Sequence, residues 1–398
     1  MKNYMVNISR AKLITVAGAG WMFDAMDILI LSYIIALLGK WYGWTQDEKT
    51  LIILANNLGL LTGAFLFGYL ADRFGRKNIF ITTLLIYSIL TPLQGFVKTY
   101  VDLALLRYFI GLGLGGELPV VATLVSELSS PEKRGENVVL LESFWAYGTI
   151  MAASVAYFLI PWIGYSETMI LLGLTAFFIF VIRTQIPEPP RSVGSRRVSL
   201  KELVNKEYRK LIGVWIAWFS IALGYYGVFL WLPQILISKN FTIIRSFEYT
   251  LYMALAQVPG YFSAAYLVER VGRRPVFISY MTGSAITAVL FAYSVDTRDI
   301  LLWGSLLNFF NLGAWGVIYA YTPELFNDLY RATATGSAGS IARIGMIIGP
   351  TIPSITRSFE YSLTTFAVIW LIGGLATLLT PETREIIKKS TIVISPGR

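Results

Sequence analysis

The sequence predicts an all-α membrane protein of twelve transmembrane helices, arranged as two six-helix bundles related by pseudo-two-fold symmetry. Three observations support this fold class: the composition, the spacing of the apolar runs and an internal repeat. Hydrophobic residues make up 55% of the 398 residues and charged residues 14%, whereas a soluble domain has roughly 25% charged residues. Twelve spans would use about 240 residues and leave enough chain for short connections.

Apolar runs bounded by charged or turn residues predict the spans. The predicted spans are residues 13–38, 50–71, 79–97, 101–126, 137–160, 165–185, 210–237, 249–268, 275–294, 300–323, 333–355 and 361–380. These runs do not alternate with the period of two that a membrane β-barrel requires. The first run is too long for a cleavable signal, so we expect it to be a transmembrane helix.

The net charge of +9 is interpreted as an orientation signal. With the predicted spans, 24 of the 33 Lys and Arg residues fall on the side that holds both termini, and an excess of positive charge is typical of the cytoplasmic side. We therefore expect a multi-pass protein of the cell membrane with both termini in the cytoplasm. Its expected partners are the lipid bilayer, a small-molecule substrate and protons, with no nucleic acid, and we expect a monomer.

The chain contains no Cys and no His, which excludes thiol catalysis, disulfides, ordinary zinc sites and imidazole proton relays. The sequence has no evident nucleophile–base pair and no phosphate-binding loop. We expect no enzymatic activity, no cofactor and no metal. A G-x-G-x-x-G pattern at residues 111–116 lacks a preceding strand, so close helix packing explains its small residues better than a nucleotide site does.

An internal repeat divides the chain. Gly68–Lys77 recurs as Ala265–Arg274 at an offset of 197 residues, and Glu127 matches Glu324 at the same offset. Each copy follows an even-numbered span of its own half, which indicates a parallel duplication of six helices. The expected organisation is an N-terminal bundle at 1–186, a cytoplasmic linker at 187–209 and a C-terminal bundle at 210–398.

The repeated motif resembles a known family. Gly68–Lys77 is similar to the signature between the second and third helices of the major facilitator superfamily, and the resemblance covers nearly the whole chain. Arg107–Glu117 and Pro381–Arg384 narrow it to the branch of sugar porters, organic-ion carriers, synaptic-vesicle-2-like proteins and niacin or aromatic-acid carriers. Trp21–Asp27 and Leu141–Ala146 are most similar to the niacin and aromatic-acid proton symporters. The resemblance implies transport by alternating access.

Two departures separate the chain from neighbouring branches. The Gln-rich motif of sugar porters is absent, since Gln234 is the only Gln in the seventh predicted span. The large external loop of animal organic-ion carriers is also missing. We expect a proton-coupled transporter of a small organic anion, an aromatic or other carboxylate. A sugar or polyol porter, an organic-cation carrier and a non-transporting membrane sensor on the same scaffold are the alternatives.

Ionisable groups inside apolar spans cost on the order of 2.5 to 3.5 kcal/mol even on lenient scales, so they are functional candidates. Asp27 lies about 22 Å from the cytoplasmic end of its span and Arg107 about 9 Å from the external end, which places them at the same depth of a ~30 Å core. A carboxylate that is paired in one state and desolvated in another changes its proton affinity. We predict proton coupling by Asp27 and Arg107, together with Asp24 and Glu142. The alternative is a static ion pair.

Arg343 is the predicted substrate anchor, because it lies ~15 Å into its span, near the midplane where carriers bind substrate. A permanently charged bidentate donor favours a carboxylate, and aromatic rings suit an aromatic acid. The other predicted contacts are Trp145, Tyr225, Tyr226, Asn311, Trp315 and Tyr319. Arg343 could instead neutralise Asp24 or Glu142. The amides in the spans, Asn56, Asn57, Gln257, Asn308 and Asn311, could equally form hydrogen bonds between helices.

Charged residues of the repeated motifs fall at cytoplasmic helix ends and predict an inner gate. The predicted gate residues are Asp72, Arg73, Arg76, Glu127, Arg134, Glu188, Glu269, Arg273, Glu324, Arg331 and Glu382. Opposite charges there could hold the inner helix ends together until the protein opens inward. Each exposed pair contributes about 0 to 1 kcal/mol, so the set would bias two nearly balanced states. Gly75 and Gly272 are expected at tight turns.

Overall fold

The computed structural model describes residues 10–74, 76–128, 134–183 and 199–384. Every regular element in these ranges is a helix, which confirms the predicted all-α class. The α-helices are α1 Arg10–Trp41, α2 Gln46–Phe74, α3 Arg76–Leu93, α4 Tyr100–Leu128, α5 Arg134–Ser154, α6 Ile160–Ile163, α7 Tyr165–Arg183, α8 Leu200–Phe229, α9 Leu232–Ser238, α10 Ile243–Leu255, α11 Gln257–Arg270, α12 Arg273–Tyr293, α13 Thr297–Glu324, α14 Asp328–Ile348, α15 Ile352–Thr356 and α16 Phe359–Ala376.

Seven stretches of the described chain are long and apolar enough to cross a membrane. They are Gly18–Trp41, Gln46–Phe67, Leu140–Ile163, Leu200–Phe229, Arg273–Tyr293, Thr297–Glu324 and Phe359–Leu379. The count of twelve spans stays a prediction. Predicted spans such as 101–126 and 165–185 are not among the seven, and others are divided between shorter helices.

Prolines explain two of these divisions. The predicted span 210–237 is divided between α8 and α9, and Pro233 stands four residues after Phe229, the last residue of α8. A proline ring clashes with the carbonyl four residues earlier and cannot supply the helical hydrogen bond. Pro259 has the same relation to Leu255, the last residue of α10, and the chain resumes as α11 at Gln257.

The chain forms two compact units. The first consists of the described residues within Met1–Ser192 and Leu236–Leu251, and the second of those within Val193–Ile235 and Tyr252–Arg398. Residues 187–198 of the predicted linker lie outside the described residues, whereas residues 200–209 belong to α8, so the boundaries of the linker stay a prediction.

Glycines bring α2 and α4 into close contact in the first unit. A Cβ at Gly111 would collide with the backbone carbonyl of Asn56, and one at Gly115 with that of Leu60. The glycine pattern at residues 111–116 is therefore a packing feature within a helix, in agreement with the prediction from its apolar context.

The internal repeat reappears in the packing of each unit. Gly63 of α2 leaves no room for a Cβ beside the carbonyl of Leu112 in α4, and Gly260 of α11 stands in the same relation to Phe309 of α13. The members of each corresponding pair are separated by 197 residues, the offset of the sequence repeat. The duplication therefore kept a helix-to-helix contact as well as a motif.

Candidate functional site

A buried ion pair joins α1 and α4 in the first unit. Nη1 of Arg107 lies 3.0 Å from Oδ2 of Asp27, and the two side chains are 0% and 1% exposed. Nη1 also donates to the backbone carbonyl of Asp27 at 3.0 Å, whereas Nε and Nη2 have no hydrogen-bond partner among the described residues. The structure thus brings together the two charges that the sequence places at one depth.

Polar groups of two further helices surround this pair. Thr91 of α3 lies beside the Asp27 carboxylate, and Tyr165 of α7 is close enough to Arg107 to interact electrostatically. The Tyr165 hydroxyl donates to the backbone carbonyl of Gln94 at 3.0 Å. Sequence reasoning missed Thr91 and Tyr165, because a hydroxyl in an apolar span is far less costly than a charge and does not stand out.

Two more carboxylates are buried in the first unit. Asp24 on α1 and Glu142 on α5 are 3% and 6% exposed. Each stands one helical turn from a tryptophan, and the ring centroids of Trp21 and Trp145 are 5.5 Å apart. Trp21 also lies beside the Glu142 carboxylate. Trp145, a predicted substrate contact, therefore lies among the acidic and aromatic side chains of α1 and α5.

In the second unit, aromatic residues of α8 and α13 form a cluster. The Trp218 ring centroid lies 4.8 Å from that of Tyr319 and 5.8 Å from that of Trp315. Tyr225 lies 5.9 Å from Trp315. Three predicted residues, Tyr225, Trp315 and Tyr319, are thus brought together. Trp218 was missed, although it precedes Tyr225 by seven residues, two turns along the same helix face.

Arg343 of α14 faces this aromatic cluster. Its half-buried guanidinium lies near the phenol groups of Tyr226 and Tyr319. Gly345 allows the approach of α14 to α8, because it leaves no space for a Cβ beside the carbonyl of Phe219. Arg343 forms no hydrogen bond or ion pair within the described part of the chain. The cluster therefore combines rings in mostly edge-on contact with a positive charge that has no acidic partner among the described residues.

The amides of α13 differ from one another. Asn308 accepts a hydrogen bond from Gln257 Nε2 at 2.7 Å and donates to the carbonyl of Gly304 at 2.8 Å, so this pair connects α11 to α13. Asn311 is 0% exposed, yet neither its Nδ2 nor its Oδ1 has a partner among the described residues, and the same holds for Nε1 of Trp315.

Four predicted gate residues of the C-terminal half meet at the ends of α11, α12 and α13. Nη2 of Arg273 lies 2.7 Å from Oε1 of Glu269, and Nε lies 3.0 Å from Oε2 of Glu324. The backbone N–H groups of Arg273 and Arg274 donate to the Glu382 carboxylate at 2.9 Å and 2.8 Å. Glu382 therefore caps the N-terminus of α12, where a negative charge is favourable.

Gly272 makes this cap possible, as expected for a tight turn. Its φ is +118°, a conformation that side chains disfavour. A Cβ there would also lie 2.8 Å from Cδ of Glu382. Glycine is therefore required both by the backbone and by the approaching carboxylate.

Most of the other predicted gate residues lie outside the described part of the structure. The side chains of Asp72, Arg76, Glu127 and Arg134, as well as Glu188 and Gly75, lie outside the described residues. Arg73 is exposed at the end of α2. Arg331 of α14 donates through Nε to the backbone carbonyl of Pro323 at 2.9 Å.

The chain is similar to known transporters in sequence and in structure. The chain matches the family model of the Major Facilitator Superfamily over residues 17–258 and 246–393. It is 46% identical over 391 residues to the putative niacin/nicotinamide transporter NiaP of Bacillus subtilis, covering 96% of this chain and 97% of that protein. It is 40% identical over 373 residues to the niacin transporter NiaP of Acinetobacter baylyi, covering 85% of each. The xylose transporter XylE from E. coli, in a partially occluded inward-open conformation, has a similar structure with a TM-score of 0.77 at 17% identity, covering 94% of this chain and 98% of that one.

Proposed function

This chain belongs to the Major Facilitator Superfamily. From its similarity to niacin transporters and from the position of Arg343 we propose that it carries a small aromatic carboxylate, with nicotinate as the first candidate, and that transport is coupled to protons. Its family and its named relatives are transporters, so the chain is a membrane-embedded transporter of a small organic substrate and not an enzyme. The substrate class and the proton coupling are the proposed parts.

The position of Arg343 carries the proposal for an anionic substrate. A guanidinium in an apolar span is costly without a counter-charge, and Arg343 has no acidic partner among the described residues of the chain. A substrate carboxylate would supply that partner through two parallel hydrogen bonds. Tyr226 and Tyr319 beside it add ring surfaces for an aromatic substrate. An organic cation would be repelled at the same position.

The Asp27–Arg107 pair supports proton coupling. Asp27 is 1% exposed, and a charge buried to this extent is costly unless it is paired. Arg107 supplies the compensating charge. Protonation of Asp27 would leave the buried charge of Arg107 without a counter-charge, which favours a rearrangement of α1 against α4. Asp24 on the same helix, α1, and Glu142 on α5 are proposed as further proton carriers.

We also propose that the charged network around Arg273 is part of an inner gate. Its members tie the ends of α11, α12 and α13 to the segment around Glu382, so a movement of one helix end changes the contacts of the others. The proposed orientation places this network at the cytoplasmic face of the plasma membrane, with both termini cytoplasmic, in agreement with the distribution of Lys and Arg. A monomer is the proposed functional unit.

Replacing Arg273 with alanine is expected to slow substrate exchange about fivefold while leaving substrate affinity nearly unchanged. Loss of the shared cation leaves Glu269 and Glu324 as neighbouring negative charges, and a change of about 1 kcal/mol shifts a two-state balance by about that factor. Exchange in proteoliposomes and equilibrium binding separate the two effects. The matched control is Arg270→Ala, which removes an exposed guanidinium that lies 4.4 Å from the Tyr266 ring centroid. Equal effects of the two variants would contradict the gate assignment.

Uptake by the purified protein in liposomes tests the proposed function. Nicotinate, benzoate, lactate, a hexose and an organic cation would each be offered with and without an imposed pH gradient. We expect the aromatic acids to accumulate only with the gradient, and the hexose and the cation not to enter. Accumulation of the hexose or the cation, or uptake of nicotinate that ignores the gradient, would refute the corresponding part of the proposal.

A further inference from the structure

We infer that Asn311 and Trp315 form a second polar subsite, which selects substrates whose aromatic ring carries a hydrogen-bond acceptor such as a pyridine nitrogen. This inference rests on the proposed function, because it concerns the far end of a ligand whose carboxylate binds Arg343. It assigns ring specificity to two residues that the charge of the substrate does not involve.

The Asn311 amide is buried without a hydrogen-bond partner in the described chain. Buried polar atoms almost always have a hydrogen-bond partner, and a buried amide without one is destabilising. Asn311 is 0% exposed and both of its polar atoms lack a partner among the described residues. A Leu of similar size would avoid this cost, so the amide is explained if a ligand accepts a hydrogen bond from its Nδ2.

Asn308 provides an internal comparison on the same helix. Its amide is fully engaged with Gln257 and with the backbone of Gly304, so it is explained by packing. Asn311 stands less than one turn later and has no such role. The two asparagines therefore differ in their hydrogen bonding although they lie in one predicted span.

One face of α13 leads from Asn311 to the aromatic residue beside Arg343. Asn311, Trp315 and Tyr319 follow one another at intervals of four residues, which places them along one face of α13. The rings of Trp315 and Tyr319 are 5.8 Å apart, and Tyr319 lies beside Arg343. From the level of Tyr319 to that of Asn311 the helix rises roughly 12 Å. A single aromatic acid with one hydrogen bond of about 3 Å at each end fits this length.

The available groups determine which rings fit. Nδ2 of Asn311 and Nε1 of Trp315 are both donors, and Nε1 of Trp315 is also without a partner in the described chain. A pyridine nitrogen accepts a hydrogen bond in the plane of the ring, whereas a benzene ring offers no acceptor there. The single lone pair of that nitrogen can accept from one of the two donors, whereas a benzene ring would leave both unpaired, and sites built to bond a substrate atom reject analogues that lack it.

Four ligands separate this subsite from the carboxylate site: nicotinate, nicotinamide, benzoate and benzamide. Equilibrium binding to the purified transporter is expected to favour nicotinate over benzoate by about tenfold or more. In Asn311→Leu this ratio should fall to about threefold or less, while the preference for nicotinate over nicotinamide stays as in the wild type. Arg343→Gln should do the opposite and abolish only the preference for the acid.

Trp315→Phe is a second variant that keeps an aromatic side chain and removes the indole donor. It tests the ring subsite if Asn311→Leu does not fold. The control is Phe229→Leu, which trims the ring 4.6 Å from Tyr225 and should weaken pyridine and benzene ligands alike. Equal binding of nicotinate and benzoate by the wild type would overturn the inference alone, as would an unchanged ratio in both variants. Failure of every acid to bind better than its amide would overturn the proposed function instead.

Discussion

Replacing Asp27 with asparagine is expected to abolish accumulation driven by a pH gradient while preserving exchange of substrate across the membrane. Asparagine keeps the size and a hydrogen bond to Arg107 but cannot bind and release a proton. A gradient of about one pH unit corresponds to about 1.4 kcal/mol, and so to about tenfold accumulation for each coupled proton. The variant should therefore equilibrate substrate to about equal concentrations inside and outside proteoliposomes, measured with labelled nicotinate.

Asp102→Asn is a suitable control for this experiment. Asp102 lies on α4 with Arg107 but is exposed, where it accepts a hydrogen bond from Thr99 Oγ1 at 2.7 Å. This variant should accumulate substrate normally. If Asp27→Asn also accumulates substrate while Glu142→Gln does not, the coupling site would have to be moved to the Trp21–Trp145 region. If all of these variants accumulate substrate, Asp27 and Arg107 form a static ion pair.

Replacing Arg343 with glutamine should weaken nicotinate binding by about 10- to 100-fold. A hydrogen bond to a charged group contributes about 1.5 to 3 kcal/mol, and every 1.4 kcal/mol is a tenfold change in affinity. Arg343→Lys should have an intermediate effect, because lysine keeps the charge but loses the planar pair of donors. Isothermal titration of the purified variants with nicotinate gives these affinities directly.

The specificity of this effect distinguishes substrate binding from structural damage. Arg298→Gln removes an exposed guanidinium near the start of α13 and should leave binding unchanged. Nicotinamide, which has no negative charge, should bind Arg343→Gln about as well as it binds the wild type. An equal loss of affinity for nicotinate and nicotinamide would mean that Arg343 supports the fold and does not bind the carboxylate.

The ionisable candidates could be found from the sequence because a charge in an apolar span is conspicuous and its depth can be counted. Asp27 and Arg107 were placed at one depth by this reasoning, and the structure pairs them at 3.0 Å. The hydroxyls around them were not found, since Thr91 and Tyr165 resemble many other residues of the spans. The divisions within helices were also missed, although Pro233 and Pro259 are visible signals for them.

The two asparagines of α13 show most clearly which contacts the sequence does not predict. Asn308 and Asn311 stand three residues apart in the same apolar run. Only Asn311 is predicted as a substrate contact, and by sequence both could equally form hydrogen bonds between helices. Only the neighbouring helix decides, because Gln257 of α11 reaches Asn308, while both polar atoms of Asn311 have no partner in the described chain. A hydrogen bond between helices depends on their rotation and offset, and no single helix encodes these.

The sequence alone indicated the helical membrane class, the family, the repeated motif and the buried charges, because hydrophobic length, motif spacing and charge cost are local properties of a chain. The tertiary structure alone decided which groups pair with one another: Asp27 with Arg107, Glu382 with the N-terminus of α12, and Asn311 with no residue of the described chain. Pairing requires atoms from separate segments of the chain to meet within about 3 Å, and that distance is set by how the helices pack together.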